Sequence, residues 1–289
     1  MKPIVFLILL ISLLSATSAT ASSTETTSFH VSVTGNGPAV ILIPGLNSSS
    51  EVWNSSVTLF SQHKQIHTLH LAGFAGLELK GDPSLSRVKQ DIINYVKTKK
   101  LNNPSIIGHS LGGFLALSLA IEEPKLFGKL VIIDALPFWP LVFNPMATPA
   151  SMLEQATALK KQIEVNTNEV ALRQYYSSTL ASMINDPLWQ KKATEWSLKS
   201  DTRMTAQSLF ELQTTDLRDQ LDKIQAPALI LGSWSTAKHF GGTKQSVADH
   251  MDMQYTELAN KRIIIHDNAK HFIMLDAPEW TAKLIRDFL

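Results

Sequence analysis

Six short, apolar, β-prone runs recur along this chain, at 39–43, 66–71, 104–107, 130–133, 228–231 and 262–265. None alternates strictly between apolar and polar residues. A strand covered on one face shows a period of two, whereas a strand covered on both faces reads as a continuous apolar run. Helical patterns separate the runs. Residues 85–100 set Val88, Ile92, Tyr95 and Val96 on one stripe, and 243–258 and 278–288 read as similar surface helices. Strand and helix in alternation predict an α/β fold, a doubly wound and mostly parallel sheet with helices on both faces. Residues 29–34 do alternate and are followed by Gly35-Asn36-Gly37, which reads as an antiparallel hairpin strand at the sheet edge. Residues 22–28, rich in Ser and Thr, read as a solvated leader.

One of the apolar runs enters a tight turn. Ser105-Ile106-Ile107 leads into Gly108-His109-Ser110-Leu111-Gly112, and the chain leaves through Phe114-Leu115-Ala116-Leu117. A G-x-S-x-G pattern between a buried strand and a helix pins the serine hydroxyl above the sheet edge, because the turn is too tight for side chains on either flank. A free hydroxyl is a poor nucleophile. The helix after it, 111–122, aims its N-terminal amides at an oxyanion forming beside Ser110 and so lowers the barrier to acyl transfer. Ser110 is the candidate nucleophile.

On these residues the chain resembles the α/β-hydrolase superfamily, in its serine hydrolase and esterase branch, over about residues 29–289. A serine nucleophile needs a base, and the base needs a third group to hold its tautomer. The resemblance puts the base after the last strand, which selects His271 in Asp267-Asn268-Ala269-Lys270-His271-Phe272. In most members the acid follows the penultimate strand. Here 228–231 runs through Gly232 to Gly242 without a carboxylate, while Asp134 ends the run 130–133, 24 residues after Ser110. A minority of the superfamily, haloalkane dehalogenases among them, keeps its acid at that earlier strand, so Asp134 is the candidate acid. The alternative for Asp134 is a strand-end cap, with Asp267 or Asp249 as substitute acid. Leu111 supplies one oxyanion amide. By resemblance Leu46 supplies the other, in Pro44-Gly45-Leu46, where the family often has His-Gly. Asn47, Ser48 and Ser49 read either as further polar contacts or as helix-start residues, and His109, pointing away from Ser110, as a packing residue or one that supports the catalytic residues from behind. A serine at the elbow argues against dehalogenase or epoxide hydrolase chemistry, which needs a carboxylate nucleophile.

The stretch 137–222 breaks the strand–helix rhythm and reads as several helices punctuated by Pro140, Pro145, Pro149 and Pro187. The resemblance implies a helical cap or lid here, inserted into a core of 22–136 and 223–289. Its aromatic and Met residues, Phe138, Trp139, Phe143, Met146, Tyr175, Tyr176, Trp189, Trp196 and Phe210, are expected mostly to form its own core, with about a third touching substrate. Phe138, Trp139 and Trp234 are the candidate pocket residues.

At the N-terminus, Lys2, the apolar run 4–14 and the ending Ala19-Thr20-Ala21 predict a cleaved signal peptide over 1–21 and a secreted or periplasmic protein. The apolar run is shorter than the roughly 20 residues of a membrane span. The absence of cysteine excludes disulfides and lipid acylation at the processing site. Without Lys2 the remaining 268 residues carry 25 basic against 25 acidic side chains, interspersed, which argues against nucleic acid as a partner. No metal cluster or nucleotide fingerprint occurs, so no cofactor is implied. Asn47-Ser48-Ser49 and Asn54-Ser55-Ser56 fit the glycosylation sequon. The expectation is a serine hydrolase acting on small to medium apolar carboxylic esters, without a stable membrane anchor. The same parts also serve lipases, lactonases, thioesterases and peptidases, and a non-catalytic ligand binder is the alternative from another class.

Overall fold

A computed structural model describes residues 22–25, 28–238 and 241–289, so the predicted signal peptide lies outside the described residues. Eight strands form one sheet: β1 (Ser22–Glu25), β2 (Phe29–Thr34), β3 (Ala39–Ile43), β4 (Gln65–Leu71), β5 (Ser105–His109), β6 (Leu130–Ile133), β7 (Ala228–Ser233) and β8 (Lys261–His266). Their spatial order is β1-β2-β4-β3-β5-β6-β7-β8. The six strands from β4 to β8 in this order are parallel, and they are the six continuous apolar runs.

Both faces of those strands are covered, which is why they do not alternate. Ile41, Ile43, Ile106, Ile132 and Ile230 join a cluster with Val88 and Ile92 of α2 (Leu85–Thr98) and with Leu115 and Leu119 of α3 (Leu111–Glu122). Their neighbours in sequence, Val40, Leu42, Ile107, Val131 and Leu229, face Trp53 and Ile285 on the other side. Each such side chain contributes about 1.5–3 kcal/mol on burial.

The antiparallel end differs from expectation. β2 makes no hairpin with β3. It pairs with β4, Phe29 opposite Leu71, and the Ser/Thr-rich leader adds β1 outside it, Ser22 opposite Val33. Phe29 and Val31 are buried, which fixes the register of β2 on the sheet. The outer row of N–H and C=O groups on β2 then accepts β1 whatever the side chains of β1 are.

Between β6 and β7 the chain runs through helices alone: α4 (Pro149–Val165), α5 (Glu169–Met183), α6 (Pro187–Leu198) and α7 (Thr202–Thr214), with short 3-10 turns at Trp139–Val142 and Arg218–Lys223. Pro149 and Pro187 stand at the starts of α4 and α6, after Thr148 and Asp186, whose side chains accept first-turn amides. A proline there loses no hydrogen bond, so it starts these helices instead of breaking them. After β7 come α8 (Ser235–Lys238), α9 (Lys244–Gln254), α10 (Ile273–Asp276) and α11 (Pro278–Phe288). No helix among the described residues is long and apolar enough to cross a membrane.

Candidate active site

β5 delivers Ser110 in a left-handed backbone conformation, φ 52° and ψ −118°, and α3 begins at the next residue. Such a conformation costs a non-glycine residue about 1–3 kcal/mol and persists only where its surroundings enforce it. The flanking glycines do so. A Cβ on Gly108 would run into the Gly112 carbonyl, and one on Gly112 into the Ile43 carbonyl at the end of β3. The Ser110 carbonyl accepts from Gly113 and Phe114, while the Leu111 N–H, at the first helical position, has no acceptor within the helix.

Asp134 and His271 meet from opposite ends of the sequence. Asp134 follows β6 with φ 46°, held by its N–H to the Leu231 carbonyl at 2.7 Å. Its Oδ1 accepts from the Ser233 N–H at 2.8 Å, and its Oδ2 accepts from His271 Nδ1 at 2.7 Å. Because an ionised carboxylate only accepts, Nδ1 carries the proton and Nε2 keeps its lone pair. The end of β7, where most of the resembling proteins have their acid, here supplies the Ser233 amide, and the Ser233 hydroxyl donates to the Ala269 carbonyl in the loop before His271. Asp267 is instead paired with Lys244 at 2.6 Å, and Asp249 accepts from Gln245 at 2.7 Å.

Ser110 Oγ makes no hydrogen bond to His271 or to any other described residue. The two loops nonetheless touch through the residue before Ser110: the His109 and His271 rings lie 4.7 Å apart, and His109 Nε2 donates to the His271 carbonyl at 3.1 Å. Catalytic hydrogen bonds in ligand-free enzymes are often long and tighten only with substrate. Burial first, and the neighbouring His271 second, hold the His109 pKa well below the usual histidine value.

The turn after β3 approaches the serine closely. A Cβ on Gly45 would lie 3.3 Å from Ser110 Cβ and 2.8 Å from His109 Nδ1, so only glycine fits. The next amide, that of Leu46, has no acceptor among the described residues. Asn47 then takes φ 56°, a conformation its short polar side chain tolerates, and its buried Oδ1 accepts from Thr205 Oγ1 of α7 at 2.7 Å. Tyr176 of α5 also contacts the Asn47 side chain; its phenol pKa is raised by burial and partly offset by that contact. Sequence reasoning offered Asn47 only as a polar contact, a helix start or a sequon. Buried and bonded as it is, Asn47 cannot accept a glycan in the folded protein, while Asn54 is exposed.

The candidate pocket residues part company. Phe138 is 0% exposed, packed against Leu141 and Ala147 with its N–H donating to Gln254 Oε1, so it is a core side chain with no surface for a ligand. Trp139, next to it, turns outward and meets Phe143 edge-on at 5.3 Å. Trp234 is half-buried beneath Lys238, with an indole N–H that has no partner among the described residues.

The profile of the Alpha/beta hydrolase family matches residues 40–284. This chain belongs to the alpha/beta hydrolase family. Among the curated alpha/beta hydrolases it resembles, a pimeloyl-[acyl-carrier protein] methyl ester esterase of Nitrosomonas europaea is 25% identical over 259 residues, 87% of this chain and 96% of that protein. The mouse monoacylglycerol lipase ABHD6 is 23% identical over 267 residues, 88% of this chain and 76% of that protein. Among solved structures, an esterase from Thermogutta terrifontis superposes with a TM-score of 0.75 at 15% identity, over 93% of this chain and 98% of that one. The chain is a hydrolase, and the esterases among its relatives support ester hydrolysis at a coarse level.

Proposed function

We propose that this hydrolase cleaves small to medium, largely apolar carboxylic esters through an acyl-enzyme on Ser110. The observation that carries the reading is the 2.7 Å hydrogen bond between His271 Nδ1 and Asp134 Oδ2, on a loop in contact with the strained Ser110 turn. Ser110 Oγ attacks the ester carbonyl carbon while His271 Nε2 takes its proton, and Asp134 stabilises the imidazolium. The Leu46 and Leu111 amides receive the oxyanion. The tetrahedral intermediate collapses, the C–O bond to the alcohol breaks, and His271 protonates the leaving oxygen. Water, deprotonated by the same nitrogen, then attacks the acyl-enzyme and releases the acid and Ser110.

The preference for apolar substrates is supported by the outward apolar side chains of the helical segment, with Phe143 72% and Met146 83% exposed. In this reading 137–222 is a lid over a core of 22–136 and 223–289, and residues 1–21 direct export. The names of two relatives, a methyl ester esterase and a monoacylglycerol lipase, favour oxygen esters among the acyl substrates.

Ser110→Ala is expected to abolish hydrolysis of p-nitrophenyl acyl esters and labelling by a fluorophosphonate, with the fold intact by circular dichroism. Retained turnover in this variant removes Ser110 from the role. A wild-type chain that takes no label favours a ligand-binding protein over an enzyme.

A further inference from the structure

We propose that His109 is a positioning residue that holds the base, its Nε2–H anchoring the backbone carbonyl of His271. The inference rests on the reading of Ser110 and His271 as nucleophile and base.

The His109 side chain is 0% exposed and makes a single hydrogen bond among the described residues, from Nε2 to the His271 oxygen at 3.1 Å. A carbonyl can only accept, so the proton sits on Nε2 and Nδ1 is a bare acceptor. That Nδ1 is buried without a partner, under the Gly45 backbone. Burying an unsatisfied acceptor is unfavourable, and an apolar ring of the same shape would avoid it. Filling space therefore does not account for histidine at this position. Donation to His271 does.

The loop after β8 shows what that donation adds. Ala269 accepts from Ser233, Lys270 donates to Asp276, and Phe272 donates to the Met183 carbonyl, so the neighbours of His271 have their own anchors. Among the described residues, the backbone of His271 itself is held only by His109. The base is thus fixed at two points, Nδ1 by Asp134 and the main chain by His109, and the second anchor belongs to the residue preceding the nucleophile. Displacement of the Ser110 turn is transmitted to His271. The His109 ring, tilted against Phe272 at 4.5 Å and against His271 at 4.7 Å, also stays neutral, so it does not oppose the positive charge that His271 gains in the reaction.

The test compares His109→Phe, which keeps a ring and removes both the donor and the orphaned acceptor, with His109→Gln, which keeps an N–H at similar reach. In the Phe variant kcat for a p-nitrophenyl ester is expected to fall about 10- to 100-fold. KM should stay within about twofold and Tm should hold or rise, because the unsatisfied acceptor is gone. The rate of fluorophosphonate labelling should fall in step with kcat. The Gln variant should recover most of both rates. Should the Phe variant fail to fold, His109→Met, matched to Gln in length but without a donor, takes its place. A donor-free variant with wild-type kcat and labelling, or a Gln variant as impaired as the donor-free one at unchanged Tm, overturns the inference while leaving the esterase reading intact. A wild-type chain without turnover or labelling overturns both.

Discussion

Two helices, of 12 and 17 residues, show how differently this chain treats its two regions. α3, which begins directly after the candidate nucleophile, buries nine of its 12 residues; α4, in the segment between β6 and β7, buries one of its 17, Ala156. The exposed large apolar side chains follow the same division, since Trp139, Val142, Phe143, Met146, Leu153, Val165, Val170, Tyr175 and Leu188 all lie in that segment and only Leu59 and Met253 elsewhere among the described residues. A densely buried region has one arrangement, whereas sparse burial lowers the cost of local opening. The difference separates the tasks. In the proposed reading, chemistry that needs fixed geometry sits on the sheet and α3, and selection among apolar ligands would fall to the helices, where surface can still be covered.

The contrast can be broken at its rigid side first. Asp134→Asn should leave the fold unchanged and lower kcat by about 10³- to 10⁴-fold, because an amide no longer holds the productive His271 tautomer; near-normal kinetics would transfer the acid role elsewhere. Next in size, Ile132→Ala at the centre of the sheet should cost about 2–5 kcal/mol in urea unfolding, and a loss below 1 kcal/mol would mean that this region is less tightly filled than its burial indicates.

A smaller effect comes with acid. His67 accepts from the Tyr95 hydroxyl at Nδ1 and faces Gln65 Oε1 at Nε2, which suits a neutral ring, and burial pushes its pKa from 6.5 down to about 4. The unfolded chain takes up a proton near pH 6.5 and the folded chain resists it. The stabilisation is therefore present above pH 6.5 and is lost as pH falls towards 4. His67→Gln should flatten the fall of Tm across that window, in part only, because buried His109 acts in the same direction; an unchanged slope would remove His67 from the account. Smallest of all, Phe143→Ala with Met146→Ala should change stability by no more than about 0.5 kcal/mol per site while raising KM for long-chain esters over short ones. A large loss of stability would make these side chains part of the framework.

The same division governs what could be read in the sequence. The parallel strands were legible because 39–43, 130–133 and their counterparts carry burial on both faces in their composition. Asp134 stood out through an absence, since no carboxylate follows β7 as far as Gly242. β1 was not legible, because its pairing with β2 uses backbone groups and Ser22–Glu25 has no apolar signal. Nor was the opposite orientation of Phe138 and Trp139, adjacent residues of one chemical kind whose fate depends on Leu141, Ala147 and Gln254. The contacts of His109 with His271 and of Thr205 with Asn47 span 162 and 158 residues, and local pattern carries no information over such separations.

The Thr205–Asn47 bond has a mechanical consequence. Asn47 directly follows one of the two amides proposed to receive the anion, and its side chain accepts from Thr205 of α7. In the proposed reading the helical segment and the anion donor are therefore linked through this one bond: a ligand that shouldered α7 aside would also tug on the Leu46 amide, so fit at one end of a substrate would be felt as charge stabilisation at the other.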